Sequence, residues 1–154
     1  MAEVAAGEVL ALRRRVLRDG TATGDPRLPE DGLPGTRHLA IRSRAGEVVA
    51  TSTWVPAAPP GDLPGGAAAG PAVQLRAMAV APEARGRGLG AALLQAGVAR
   101  AAREGKRAVW ARARDGALGF YEKAGFSVVG GGFVDASTGL PHHLVVLPVG
   151  VDSD

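Results

Sequence analysis

The chain has 154 residues, 46% of them hydrophobic, 21% charged and 4% aromatic, with a formal net charge of +3. This is a globular composition with one domain's worth of core, built from Val, Leu and Ala, and it excludes a disordered chain. There is no cysteine, so disulfides, thiolate catalysis and cysteine-ligated zinc are excluded, and no metal is expected. All cations except Lys106 and Lys123 are arginine. So small a net charge does not point to a nucleic-acid partner.

The N-terminal MAEVAAGEVLALRRRVLR lacks the charge, apolar run and cleavage order of a signal peptide. No run of eighteen apolar residues occurs, so no transmembrane helix or membrane partner is expected. The expectation is a cytoplasmic protein. Glu3-Val4-Ala5 reads as a very short strand. Residues 7–18 follow a helical stripe through Val9, Leu10, Leu12, Val16 and Leu17. Arg13-Arg14-Arg15 on that helix reads as a solvated face. Residues 19–37 are dense in Gly, Pro and Asp and read as a long loop.

His38–Arg42 and Glu47–Trp54 form a predicted strand pair, joined by the short connector Ser43-Arg44-Ala45-Gly46. Residues 56–71, PAAPPGDLPGGAAAGP, are of low complexity and read as a flexible excursion within one domain of residues 1–154. Val73–Val80 is the next strand, covered on both faces at its far end and stopped by Pro82. A helix follows from Leu89 to about Glu104, capped by Gly105. Ala108–Ala113 is a strand, and Ala117–Ala124 a short helix ended by Gly125. Phe126–Val129 and His143–Leu147 close the order as an antiparallel pair, joined through GGGFVDASTGLPH, with 150–154 as a tail. The fold class is α/β, a sandwich on a mixed sheet.

Arg85-Gly86-Arg87-Gly88-Leu89-Gly90 stands where a strand hands over to a helix. Glycines there let backbone N–H groups converge on a phosphate at the positive end of the helix. The motif is not a P-loop, because no lysine follows the glycines. It is not a dinucleotide fingerprint, because Gly86-Arg87-Gly88-Leu89-Gly90 spaces its third glycine one position early.

These six residues match (Q/R)xxGx(G/A), the pyrophosphate-binding pattern of the GNAT acyltransferase superfamily. Gly119-Phe120-Tyr121-Glu122-Lys123-Ala124-Gly125-Phe126 resembles that family's (F/L)YxKxGF signature, at the spacing of a helix, a strand and a short helix. The resemblance is specific from about Val73 to Val129, and is to the small stand-alone bacterial members. It implies a mostly antiparallel mixed sheet with a splayed central strand pair and helices on both faces. It also implies acetyl-CoA as co-substrate and a small-molecule or peptide amine as acceptor. Dimers are common among such proteins, so a homodimer is also expected.

Carried over by residue, the resemblance puts the pyrophosphate on the amides of Arg87, Gly88, Leu89 and Gly90, with Arg85 and Gly86 at the entry. It puts the pantetheine arm along Met78, Ala79 and Val80, with a backbone N–H near Met78 on the thioester carbonyl. Phe120 belongs to the cofactor-binding set. Tyr121 corresponds to the tyrosine that protonates the leaving thiolate, or else to an aromatic packed beneath the cofactor. Many members carry asparagine where this chain has Arg112, which makes a charge contact the alternative there.

The base is open in sequence. His38, His142 and His143 are the side chains that titrate near neutral pH. His142 or His38 is the expected pocket residue, with Glu30, Asp31, Glu47 and Asp135 as carboxylate alternatives and a water chain as another route for the proton. His142 and His143 are neighbours in a strand and point to opposite faces. A non-catalytic CoA- or ligand-sensing module is the competing reading.

Overall fold

A computed structural model describes residues 1–18, 25–60, 71–136 and 138–150. The expected excursion at 56–71 falls largely, and the tail at 151–154 wholly, outside them, as do residues 19–24 of the first long loop. The described residues hold seven strands: β1 (Ala2–Val4), β2 (Arg37–Arg42), β3 (Val48–Pro56), β4 (Ala72–Val80), β5 (Ala108–Arg114), β6 (Ser127–Val134) and β7 (Pro141–Pro148). The helices are α1 (Leu10–Arg13), α2 (Leu89–Arg103) and α3 (Leu118–Lys123). The strand order is β1-β2-β3-β4-β5-β7-β6. The pairs β1–β2, β2–β3, β5–β7 and β6–β7 are antiparallel, and β4–β5 is parallel. This is the mixed, mostly antiparallel sheet of an α/β protein. No described helix is long and apolar enough to cross a membrane.

Two compact units divide the chain. The first holds Met1–Val55 and Leu75–Gly97. Its hairpin turns through Gly46 at φ +89°, with Gly46 N donating to Ser43 O (2.9 Å) and Ser43 N to Glu47 O (2.8 Å). The left-handed value is what glycine allows. β3 is buried on both faces from Ala50 to Val55, its polar members included. Those polar groups find partners, as burial requires: Thr51 Oγ1 donates to Leu39 O (2.8 Å), and Trp54 Nε1 donates to Ser52 Oγ (2.8 Å).

Gly97 lies inside α2, where glycine costs about 1 kcal/mol relative to alanine. A Cβ there would stand 1.8 Å from Trp54 Cζ2, so glycine lets the indole pack against the helix backbone. Leu12, Ala79, Ala81 and Ala84 form a core cluster with Val16, Val48, Val49 and Leu89 against it. Its small alanines bring β4 and the 3-10 turn Pro82–Ala84 close to α1.

The second unit holds Pro56–Gln74 and Val98–Asp154. Ala72–Gln74 pair with Ala108–Trp110, and β4 runs on beyond the last of these pairs to Val80. Ala72, Ala108, Trp110 and Val146 make its core cluster, and Trp110 Nε1 donates to Ala57 O (2.8 Å). α2 ends at Gly105 (φ +80°), and the turn after α3 is closed by Gly125 (φ +96°), with Phe126 N donating to Tyr121 O (3.1 Å).

Three sequence expectations change. The 19–37 loop contains a 3-10 turn at Pro29–Gly32. The last hairpin is longer than expected, because β6 continues to Val134 across a register shift between Val129 and Phe133. Its glycine run looked like a loop, but a bulged strand tolerates it. The third change is Arg13, expected on a solvated face and found 1% exposed. Only tertiary partners make that burial affordable.

Candidate active site

In the first unit, β4 leads into the glycine loop. Ala77 is the one non-glycine residue with positive φ (+53°) among the described residues. A left-handed residue inside a strand turns the next peptide out of the ladder and costs of order 1–3 kcal/mol. The next residue is Met78, whose N–H is the group that the sequence resemblance puts on the thioester carbonyl. Met78 and Val80 are half-buried and Ala79 is buried.

After the Pro82–Ala84 turn, Gly86 and Gly88 both have positive φ, +80° and +75°. A Cβ at either would meet nothing within 4 Å. Glycine is therefore required by conformation, and the space above both positions is open to a ligand. The first hydrogen bond of α2 runs from Ala92 N to Gly88 O (3.0 Å). The amides before Ala92 at this helix start are the ones without an intrahelical acceptor. Arg85 and Arg87 are exposed, and Arg85 Nε donates to Val80 O (3.3 Å). Loop, free amides and positive helix end together suit an oligophosphate.

His38 also lies in the first unit, 4% exposed, inside a buried polar network. Arg13 Nη1 and Nη2 donate to Asp31 Oδ2 and Oδ1 (2.8 and 2.9 Å), and Nη1 also donates to Pro26 O (3.1 Å). Arg13 Nη2 donates to Thr53 Oγ1 (2.6 Å), and His38 Nδ1 lies 2.9 Å from the same hydroxyl. The hydroxyl accepts from arginine, and it still has both a hydrogen to give and a second lone pair to offer Nδ1, the direction following the imidazole tautomer. His38 Nε2 is buried without a well-formed hydrogen bond among the described residues.

Burial pushes the imidazole pKa below its usual 6.5; Asp31 opposes this and Arg13 adds to it. Burial alone would raise the Asp31 carboxyl, but the hydrogen bonds from Arg13 and Leu28 N–H and the charge of Arg13 outweigh it and hold it below 3.8. Glu30, the neighbouring carboxylate, accepts from Arg76 Nη1 of β4 (2.6 Å).

The second unit carries the remaining candidates. Tyr121 is 7% exposed, packed edge-on by Phe120 (5.2 Å between centroids) and Phe126 (5.4 Å). Burial pushes its phenol up to about 12, so it holds its proton throughout the neutral range. Phe120 is half-buried. Arg112 is exposed, its guanidinium 5.2 Å over the Trp110 ring, a cation–π contact. His142 is buried, stacked on Phe133, with Nδ1 2.9 Å from its own Leu140 O and Nε2 3.6 Å from Asp135 Oδ2.

Two groupings escaped the sequence reading. One is the Asp31–Arg13–Thr53–His38 network. The other is a dyad in the second unit, His143 Nδ1 2.6 Å from Asp115 Oδ1. Asp115 directly follows β5, and that position at a strand end was the available signal for it.

The family description "Acetyltransferase (GNAT) family" matches residues 12–126. No curated protein matches the chain in sequence. Among solved structures, an acyl-CoA N-acyltransferase from Pseudomonas aeruginosa is 22% identical with a TM-score of 0.71, over 91% of this chain and 87% of that one. A GCN5-related N-acetyltransferase from Kribbella flavida is 25% identical with a TM-score of 0.69, over 96% of each chain. An aminoglycoside 6'-N-acetyltransferase complexed with coenzyme A is 14% identical with a TM-score of 0.71, over 99% of this chain and 98% of that one. The fold is thus shared with these N-acyltransferases, and the match over residues 12–126 shows that the chain belongs to the GNAT acetyltransferase family.

Proposed function

We propose that the chain transfers an acetyl group from acetyl-CoA to an amine, by direct attack in a ternary complex. The observation that carries this reading is the run of backbone in the first unit from Ala77 to Gly88. It offers a left-handed residue inside a strand just before Met78, then two left-handed glycines at a helix start. The family match supports it, as does the shared fold with an acetyltransferase that is complexed with coenzyme A.

In this reading the amides of Arg87, Gly88, Leu89 and Gly90 hold the pyrophosphate, with Arg85 and Arg87 adding charge at the entry. Met78, Ala79 and Val80 line the pantetheine arm. The Met78 N–H polarises the thioester carbonyl as negative charge develops on its oxygen. Phe120 and Arg112 are further cofactor contacts, Arg112 through its charge. Holding amine and thioester together supplies much of the rate.

Tyr121 protonates the departing sulfur. A thiol titrates near 8.5, and the phenol at about 12. Full transfer to a free thiolate would be uphill by about 5 kcal/mol at about 1.4 kcal/mol per unit. The proton therefore moves in concert with C–S cleavage. Such an acid is worth about a hundredfold or more in rate. Tyr121→Phe is expected to lower kcat by about that factor and leave acetyl-CoA affinity unchanged, in steady-state assays and calorimetry respectively.

Calorimetric titration with acetyl-CoA and with CoA, on the wild type and Gly88→Trp, tests the reading. The variant loses two or more charge-assisted hydrogen bonds of about 1.5–3 kcal/mol each, so affinity falls about a hundredfold or more. Circular dichroism establishes that the variant is folded. A folded wild type that binds neither ligand would sink the proposal. Binding without turnover over a broad amine panel would favour the sensing module.

A further inference from the structure

We propose that His143, held by Asp115, is the group that removes the proton from the acceptor amine. The proposal rests on the acetyltransferase reading above. Asp115 Oδ1 can only accept, so His143 Nδ1 carries the hydrogen in their 2.6 Å contact. The lone pair of the neutral ring then sits on Nε2. A carboxylate behind the imidazole fixes this tautomer and stabilises the imidazolium once it forms. The side chains of His143 and Asp115 are 25% and 39% exposed, so the ring is reachable.

The strand beside it is shaped for the ring. A Cβ at Gly132 would stand 2.9 Å from His143 Cε1 and 3.1 Å from Nε2. Bare glycine backbone in the β6 bulge thus leaves the room that the imidazole occupies. Among the described residues, His143 is faced by Asp115 from the turn after β5, by its pair Ala113 on β5 and by Gly132 of β6. Arg114 pairs with His142, and both project to the opposite face. Leu147 shares the His143 face of β7, and its Cδ1 lies 3.5 Å from the position of a Gly125 Cβ, just past α3. The face bearing the dyad is thus the one on which α3, the helix of Tyr121, ends. Glu122 and Lys123 of α3 are exposed.

The other histidines fit the task less well. His38 is buried and bound to Thr53. His142 Nδ1 faces a carbonyl and its Nε2 faces Asp135, so neither nitrogen is open.

The step balances as follows. The acceptor ammonium gives one proton to His143 Nε2, and its freed lone pair forms the C–N bond to the thioester carbon. The C–S bond breaks with its electron pair going to sulfur, which takes the proton of Tyr121. The proton lost from the new amide nitrogen restores Tyr121, and His143 releases its own to solvent.

The test uses the full chain with acetyl-CoA and two acceptors. Putrescine is cationic at neutral pH and needs a base; hydroxylamine is largely neutral and does not. His143→Gln is expected to lose about a hundredfold in kcat/KM with putrescine and less than about threefold with hydroxylamine. Asp115→Asn should show the same split. In parallel, diethylpyrocarbonate labelling read by mass spectrometry should modify His143 fastest of the three histidines, more slowly in Asp115→Asn, and bound acetyl-CoA should protect it. Equal losses with both acceptors would overturn the proposal. If neither amine is acetylated, the labelling decides: absence of protection by acetyl-CoA overturns it. Acetyl-CoA that fails to bind would sink the acetyltransferase reading itself, a result that calorimetry separates from the others.

Discussion

Of the places where this molecule brings an aspartate near a histidine, two do opposite things with them. In the first unit Asp31, Arg13, Thr53 and His38 form a chain with Arg13 and His38 only 1% and 4% exposed. In the second, Asp115 and His143 meet directly in a half-open setting. Burial turns the first set into a tie between segments. Arg13 fastens the Pro26 carbonyl and the Asp31 turn to β3, and the imidazole is kept neutral to fit. Partial exposure leaves the second set within reach of solvent and of a bound molecule. The same residue types thus become structure or chemistry according to how much water reaches them.

The sharpest way to break the comparison is Arg13→Ala. Removing one partner of a buried ion pair typically costs about 3–5 kcal/mol, because the other charge is left stranded. Urea unfolding should show a loss of that size. The double variant Arg13→Met, Asp31→Leu should recover most of it, since the stranded charge goes too. A small loss in the single variant would mean that the network is ornamental.

Acid stability gives a smaller effect. The folded pKa of His38 lies below 6.5, so its stabilising contribution is complete above that value and is lost as pH falls through the folded pKa. Asp31, also lowered, contributes fully above 3.8 and loses its share below. Unfolding midpoints measured between about pH 7.5 and about pH 5 should therefore drop through His38 before any carboxylate acts. His38→Gln should flatten that first drop. An unchanged slope would show that the ring is not held neutral by its surroundings.

The smallest expected effect on stability is that of Asp115→Asn. A solvent-accessible pair contributes about 0–1 kcal/mol, so the melting curve should hardly move while turnover of a cationic amine falls. A stability loss as large as that of Arg13→Ala would make the dyad a second structural tie and erase the contrast.

Much of the backbone of the glycine loop could be read in the sequence, because it depends on local residue types. Gly86 and Gly88 adopt left-handed conformations, which glycine reaches without steric cost. Gly105 and Gly125 close α2 and α3 for the same local reason. Strand order along the chain followed from alternation and turn residues, and the mixed α/β class followed with it. Ala77 could not be read this way. Nothing about an alanine announces φ +53°, which the surrounding strand must impose.

The amine side was legible only as a set of candidates. The three histidines are alike as letters, and their surroundings separate them: Thr53 for His38, the Leu140 carbonyl and Asp135 for His142, and Asp115 with Gly132 for His143. Likewise Arg13-Arg14-Arg15 is one charge run in the chain, yet Arg13 is buried and Arg15 pairs with Glu83 at the surface. The sequence by itself determined what depends on a residue and its near neighbours: glycine loops, caps, strand alternation and the two motifs of the family. Tertiary structure decided what depends on desolvation and on partners distant in the chain, which is why it alone could say which aspartate–histidine grouping is buried and which is open to solvent.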